Sequence, residues 1–220
     1  MKLYFSFLIY LIFFVSVSYS QKTGSGIYDI DSNSYTTVFI DKKEWMSENL
    51  NTTRFTNGDT IPQAKSNEEW IKAGEAGQPA WCYSNNDSTY GIKYGKLYNW
   101  YAVADPRGLA PEGWHIPTQE EFIQLSDFLG GESIAGVKLK SDTKWGSYGN
   151  GTNSSGFCGL PAGERHKDGF YLIGNHGGWW STTESDSNKA FCIGLGTFVN
   201  ILSIYDSEML TGKSIRCIRD

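Results

Sequence analysis

Histidine, cysteine and proline are scarce in this sequence, with three, four and six residues in 220. The histidines, His115, His166 and His176, fall in no HxH, HExxH or HxxxH spacing, and no two cysteines form a CxxC pair. A zinc site therefore has no local signature, and no metal is expected. No GxSxG elbow occurs, so serine-hydrolase chemistry has no signature either, and no catalytic residue is assigned. Lysine and arginine never gather into a stripe: the 19 basic residues are interspersed among 24 acidic ones, for a formal net charge of −5. Nucleic-acid recognition needs clustered cations and is not expected. There is no internal repeat and no charged linker, and after residue 20 no apolar run is long enough to span a bilayer.

The one long apolar run lies at the start. Residues 1–20 read as a secretory signal peptide: Lys2 supplies the positive charge, the apolar run follows from Leu3 to Val17, and Ser18 and Ser20 place small residues at the cleavage position. The run is short for a span and only Lys22 follows it, so cleavage near Ser20 is expected rather than anchoring. The expected mature protein is secreted or held at the cell surface. Residues 21–27 read as a short leader, and 28–220 as one domain large enough to bury a sizeable core. In an exported chain Cys82, Cys158, Cys192 and Cys217 permit two disulfides in any of three connectivities.

What the chain has in abundance is rings and glycine. Eight Trp, 13 Tyr and 12 Phe with 25 Gly describe a turn-rich domain whose core is built from aromatic side chains; Trp100, Trp114, Trp179 and Trp180 are expected in that core. "YDIDSNSYTTVFIDKKEWMSENL" reads as a hairpin. Its "DIDSNS" opens like a calcium loop but lacks the glycine and glutamate that complete one, so it reads as a turn. No cofactor is expected, and a structural calcium ion is left open. "SNEEWIKAG" carries a capping box, Ser66 with Glu69, and "TQEEFIQLSDFLGG" another, Thr118 with Glu121, with Phe122, Leu125, Phe128 and Leu129 on one face. "GKLYNWYAV" and "SIAGVKLK" read as further helical segments. From residue 155 onward, short aromatic and β-branched runs between Gly, Asn and Asp predict antiparallel strands. Helices first and strands later make the class α+β.

The stretch "GNHGGWWSTTE" holds the residues from which a catalytic triad, Ser181, His176 and Glu184, could be drawn. On a strand, successive side chains leave opposite faces, which argues against it and for a packing strand with Trp179 and Trp180 on opposite sides. Glu120, Glu121 and Glu132 lie on or beside the strongest helix and read as its solvated face rather than as a glycosidase pair. Candidate ligand-binding residues are the loop positions Tyr148, Asn175, His176 and Tyr205.

Six stretches occur in order: "EWMSENLNTTRFTNGDTIP", "YGKLYNWYAV", "PEGWHIPTQEEFIQLSDFLGGESIAGVKLK", "GFCGLPAGER", "GWWSTTE" and "SIRCIRD". Together they resemble the Fibrobacter succinogenes major paralogous domain family, exported proteins of Bacteroidetes and Fibrobacteres, over about residues 28–220. The family is similar to the C-type-lectin-like fold, in the branch of the formylglycine-generating, sulfatase-modifying enzymes. The resemblance implies a small twisted antiparallel sheet, two to four short helices, long loops, and terminal strands lying together, with "SIRCIRD" as the closing strand. Many members carry a cysteine before the "PxGWH" motif where this chain has Ala110, which removes one disulfide and leaves Cys82–Cys217 with Cys158–Cys192 as the preferred pairing. Formylglycine-generating chemistry needs a closely spaced cysteine pair; Cys192 and Cys217 stand 25 residues apart, so that activity is not carried over. The EPN, QPD and WND signatures of calcium-dependent sugar-binding lectins are absent. The resemblance therefore implies a non-catalytic module recognising a protein or glycan through its loops. The alternative is an extracellular enzyme, related to the sulfatase-modifying group or acting on polysaccharide, at an unrecognised site.

Overall fold

The computed structural model describes residues 21–220; the expected signal peptide lies outside the described residues. Strands Thr37–Ile40 and Lys43–Met46 form a hairpin, turned at Asp41 with φ 56°, a left-handed conformation that Asp tolerates. The closing strand Ile218–Arg219 inserts antiparallel between Lys43–Met46 and Trp114–His115, so that Trp45 lies opposite both Val38 and Ile218. On the far edge Lys22–Thr23 pairs with Val38 and Phe39, completing a five-stranded sheet that holds both ends of the domain. The short leader is thus docked on this sheet through Lys22, Thr23 and Ser25. The Ser25 amide donates to Glu44 Oε1 at 2.8 Å, and Arg219 Nη1 donates to Glu44 Oε2 at 2.8 Å, so one buried carboxylate ties the first strand to the last.

A second, three-stranded antiparallel sheet comprises His176–Asp186, Lys189–Gly196 and Leu202–Glu208. Three two-stranded ribbons complete the strands: Ile27–Tyr28 with Ser34–Tyr35, Trp81–Cys82 with Leu97–Tyr98, and Glu164–His166 with Gly169–Tyr171. Helices Asn67–Glu75, Gln119–Phe128 and Glu132–Leu139 form where capping and periodicity predict them, and both halves of the Thr118–Glu121 capping box are made. The architecture is α+β, with several small antiparallel sheets and few helices.

One helical reading changes and one helix is not read from the sequence. Residues 95–103 split into strand Leu97–Tyr98 and the single turn Trp100–Val103, because Asn99 caps that turn by accepting from the Ala102 amide. Helix Ser88–Tyr94 forms from a low-propensity sequence with Thr, Gly and Ile, supported by the Asp87 cap and by Tyr94 packing inward. Phe128 turns outward, half-exposed, and Leu129 takes the core position.

The long strand His176–Asp186 runs between two hydrophobic clusters. Trp180 packs on one side with Met46, Trp100, Trp114 and Cys217; Trp179 packs on the other with Trp45, Phe122, Phe157 and Ile193. Both tryptophans are fully buried, and Trp100 and Trp114 are buried too. Ser181 is also buried and donates to the Phe191 carbonyl at 2.9 Å, while Glu184 is exposed, so no triad forms with His176.

All four cysteines are free thiols, and neither expected disulfide forms. Cys82 sits in a third cluster, with Trp70, Tyr94 and Ala162, whereas Cys217 sits beside Trp180. Cys192 lies within the sheet and its thiol bonds the Tyr205 carbonyl at 3.3 Å, whereas Cys158 lines a surface cleft.

Candidate functional site: the loop end of the three-stranded sheet

In the three-stranded sheet, Gly178 lies opposite Gly194, with Trp180 opposite Cys192, and Cys192 in turn opposite Tyr205. The glycine pair leaves a stretch of sheet without side chains, and polar groups fill it. A Cβ on Gly178 would stand 2.7 Å from Glu164 Oε1, and one on Gly194 would stand 2.9 Å from the Tyr205 ring and 3.0 Å from the His176 ring. Glu164 arrives from the ribbon, Lys213 from the segment before the closing strand. Glu164 Oε2 accepts from His166 Nε2 at 3.1 Å. Its Oε1 accepts from His176 Nε2 at 3.2 Å, from Tyr205 Oη at 3.1 Å and from the fully buried Lys213 ammonium. Lys213 also lies over the Trp180 and Tyr205 rings.

Burial disfavours charge on Glu164, yet the bonds from His166 and His176 and the Lys213 charge outweigh it and hold the carboxyl well below its ordinary range. Burial, with Cys192 and Glu164 alongside, pushes the Tyr205 phenol up. Both Glu164 oxygens are engaged and the phenol is held protonated. The cluster fastens the ribbon, two strands and the C-terminal segment together. His176 and Tyr205, expected as exposed binding residues, are both partly buried in it, and their polar atoms face Glu164.

Asn175 and Tyr148 are exposed as expected, and Asn175 immediately precedes His176 of this cluster. The Asn175 carbonyl accepts from the Thr197 amide at 2.9 Å and hydroxyl at 3.0 Å, and the Gly174 carbonyl accepts from the Gly146 amide at 2.9 Å. Three loops, residues 141–150, 172–175 and 197–201, are thereby tied into one end of the molecule. The buried Lys140 ammonium anchors the last of them through the Gly196 and Val199 carbonyls at 3.2 and 2.9 Å. From these loops project Tyr148 at 104% exposure, Phe198 at 88% and Leu172 at 62%, flanked by half-exposed Val199 and Ile201.

Tyr148 and Leu172 also adopt left-handed backbone, φ 71° and 57°. For a non-glycine residue that conformation costs about 1–2 kcal/mol, and such outliers concentrate at functional sites. The sequence reading misses Leu172 because "GFYLIG" looks like a strand interior, whereas its paired part, Gly169–Tyr171, ends one residue before Leu172; it makes no reading of Phe198.

A family model described as the Fibrobacter succinogenes major domain matches residues 38–219. The chain belongs to that family. No curated protein matches it in sequence. In this Fibrobacter succinogenes major domain the matched region contains the glycine-floored cluster, the three tied loops and the closing strand; strand Lys22–Thr23 and the ribbon around Ser34 precede it.

The three buried thiols of the domain are held protonated. Burial pushes Cys82 up to about 12, Cys192 up to about 11, and Cys217 higher still. Among the described residues no group of three or more His, Cys, Asp or Glu is placed to hold a metal ion. In "DIDSNS" the Asp29 carboxylate accepts from the amides of Asp31 and Asn33, from Asn33 Nδ2 and from Tyr35 Oη, so this segment is a turn stapled by its own aspartate. Among the described residues no helix is long and apolar enough to cross a membrane.

Proposed function

We propose that this Fibrobacter succinogenes major domain is a non-catalytic recognition module, exported by its N-terminal signal, that binds a protein partner through the loop end built on Asn175. The observation that carries this reading is the set of large apolar side chains, Tyr148, Leu172 and Phe198, exposed together on three loops that are hydrogen-bonded to one another. A contiguous exposed apolar patch on a rigid support marks an interaction surface. The aliphatic members, Leu172, Val199 and Ile201, favour a protein over a glycan, which needs polar groups beside each ring. The C-type-lectin-like reading rests on the terminal strands sharing one sheet and on loops gathered at one end of a second.

The enzymatic alternative is weaker on two grounds. The convergent polar cluster around Glu164 has both carboxylate oxygens engaged by its own donors, and three of the thiols are buried and protonated. The test is an array of extracellular proteins and of glycans probed with the purified chain, alongside a hydrolase screen. Saturable binding to a protein, lost on Phe198→Ser with Tyr148→Gly, supports the reading. Binding confined to glycans, or turnover without binding, overturns it.

A further inference from the structure

A cleft of about 360 Å³ opens between the turn at Asn33, the segment Ser47–Asn51, the helix Ser88–Tyr94 and the loop carrying Lys144. It is separate from the Glu164 cluster and lies within the size range of small-molecule sites. Its lining mixes polar and apolar surface, and several of its polar groups have bonding capacity to spare. Tyr94 is only 2% exposed, and among the described residues no protein group bonds its hydroxyl. The Lys96 ammonium, buried against the Trp81 and Tyr83 rings, donates to Asn51 Oδ1 at 2.7 Å; this fixes the carboxamide and leaves Asn51 Nδ2 without a protein acceptor among the described residues. Glu48 accepts from the Thr36 amide and hydroxyl through Oε2, leaving Oε1 open in the same sense. Two exposed cations, Lys93 and Lys144, stand on the walls, and Ile92, 94% exposed, offers an apolar surface.

We propose that this cleft binds a sugar acid. The two ammonium groups suit one carboxylate. The Glu48 carboxylate and the hydroxyl of Tyr94 suit ligand hydroxyls, and the Asn51 amide donates to a ring or hydroxyl oxygen. Ile92 suits the apolar face of a pyranose ring. A bare inorganic anion has no use for an acceptor such as Glu48 and is repelled by it; a neutral sugar leaves both lysines unanswered. A uronic acid carries both kinds of group in one small molecule. This inference stands apart from the loop-end reading, since its residues are different.

The experiment is isothermal titration of the purified chain with a galacturonic acid dimer, a neutral galactose dimer and inorganic phosphate. The acidic dimer is expected to bind saturably. The neutral dimer and the double variant Lys93→Gln/Lys144→Gln are each expected to lose at least about tenfold, the loss of roughly 1.4 kcal/mol that two exposed charge pairs supply. Tyr94→Phe, which keeps the buried ring, is expected to weaken binding severalfold. Phe198→Ser/Tyr148→Gly is expected to leave it unchanged, which separates this site from the loop end. Absence of binding by the acidic dimer overturns the proposal. So does equal affinity for the neutral dimer or phosphate, or an unaffected lysine variant whose melting temperature matches the parent.

Discussion

Arg216 Nη2 donates to Asn49 Oδ1 at 2.7 Å, deep in the core, and the same oxygen accepts from Trp179 Nε1 at 2.8 Å. Asn49 Nδ2 donates to the Tyr94 carbonyl at 2.9 Å and the Ser214 hydroxyl at 3.2 Å. One carboxamide thus joins "EWMSENL", "GWWSTTE" and "SIRCIRD", the first of which lies more than 100 residues before the other two. The Arg216 guanidinium is fully buried, bonds the Met46 and Phe157 carbonyls, and lies over the Phe157 ring. Burial lowers its pKa to about 10, so it stays charged at neutral pH. Asn49→Ala strips partners from a buried cation and a buried indole at once. We expect a loss of about 3–5 kcal/mol in urea unfolding, the range for breaking a buried charged network. A loss below about 1 kcal/mol would show that water replaces the amide.

The two tryptophans should behave as independent core residues, because they pack in separate clusters. Trp179→Ala and Trp180→Ala are each expected to lose about 3–5 kcal/mol. Calorimetry on each single variant checks this.

Acid stability should depend on Glu44. Burial opposes its charge, but bonds from Thr37, Arg219 and Ser25 prevail and lower its pKa to about 2. The unfolded value is ~4.3, so this carboxylate contributes stability above that pH, and the contribution disappears as pH falls through about 2. Glu44→Gln is expected to lower stability by about 2–3 kcal/mol at pH 7 and to flatten the pH dependence between pH ~5 and ~2. Unfolding curves across that window decide it; an unchanged slope would mean that Glu44 is not the group that titrates.

Thiol titration checks the free cysteines. Cys158 alone is partly exposed, so a thiol reagent should label one cysteine in the native protein and four after unfolding. A reductant should leave the melting temperature unchanged. A drop on reduction would reveal a disulfide.

The capped helices Asn67–Glu75 and Gln119–Phe128 were legible because their signals are local: Thr118 and Glu121 stand three residues apart, and the cap forms within one turn. Trp179 and Trp180 were legible for the same reason, since strand alternation alone sends them to opposite faces. The Glu164 cluster was not, because Lys213 lies 49 residues from Glu164 and the isolated bridge between Arg165 and Gly212 brings them together. The glycine-rich surroundings of His176 read as an exposed turn. Gly194, on the neighbouring strand, instead makes room for its ring. Leu172 was hidden because an apolar residue in a short run reads as a strand, whereas its left-handed backbone places it in a turn.

At Leu172 and Tyr148, replacement by glycine relieves the left-handed strain while loosening the unfolded chain. Leu172→Gly and Tyr148→Gly are expected to leave stability within about 1 kcal/mol of the parent. Thermal unfolding checks this, and a large loss would show that these side chains support the fold.

The most direct test of the recognition account is the affinity of the triple variant Tyr148→Gly/Leu172→Gly/Phe198→Ser for the protein partner found on the array, measured beside the parent by surface plasmon resonance. The account predicts a loss of at least about 100-fold, as expected when several central apolar anchors are removed together, with the melting temperature held. Affinity within about threefold of the parent, in a variant that is folded, would contradict it.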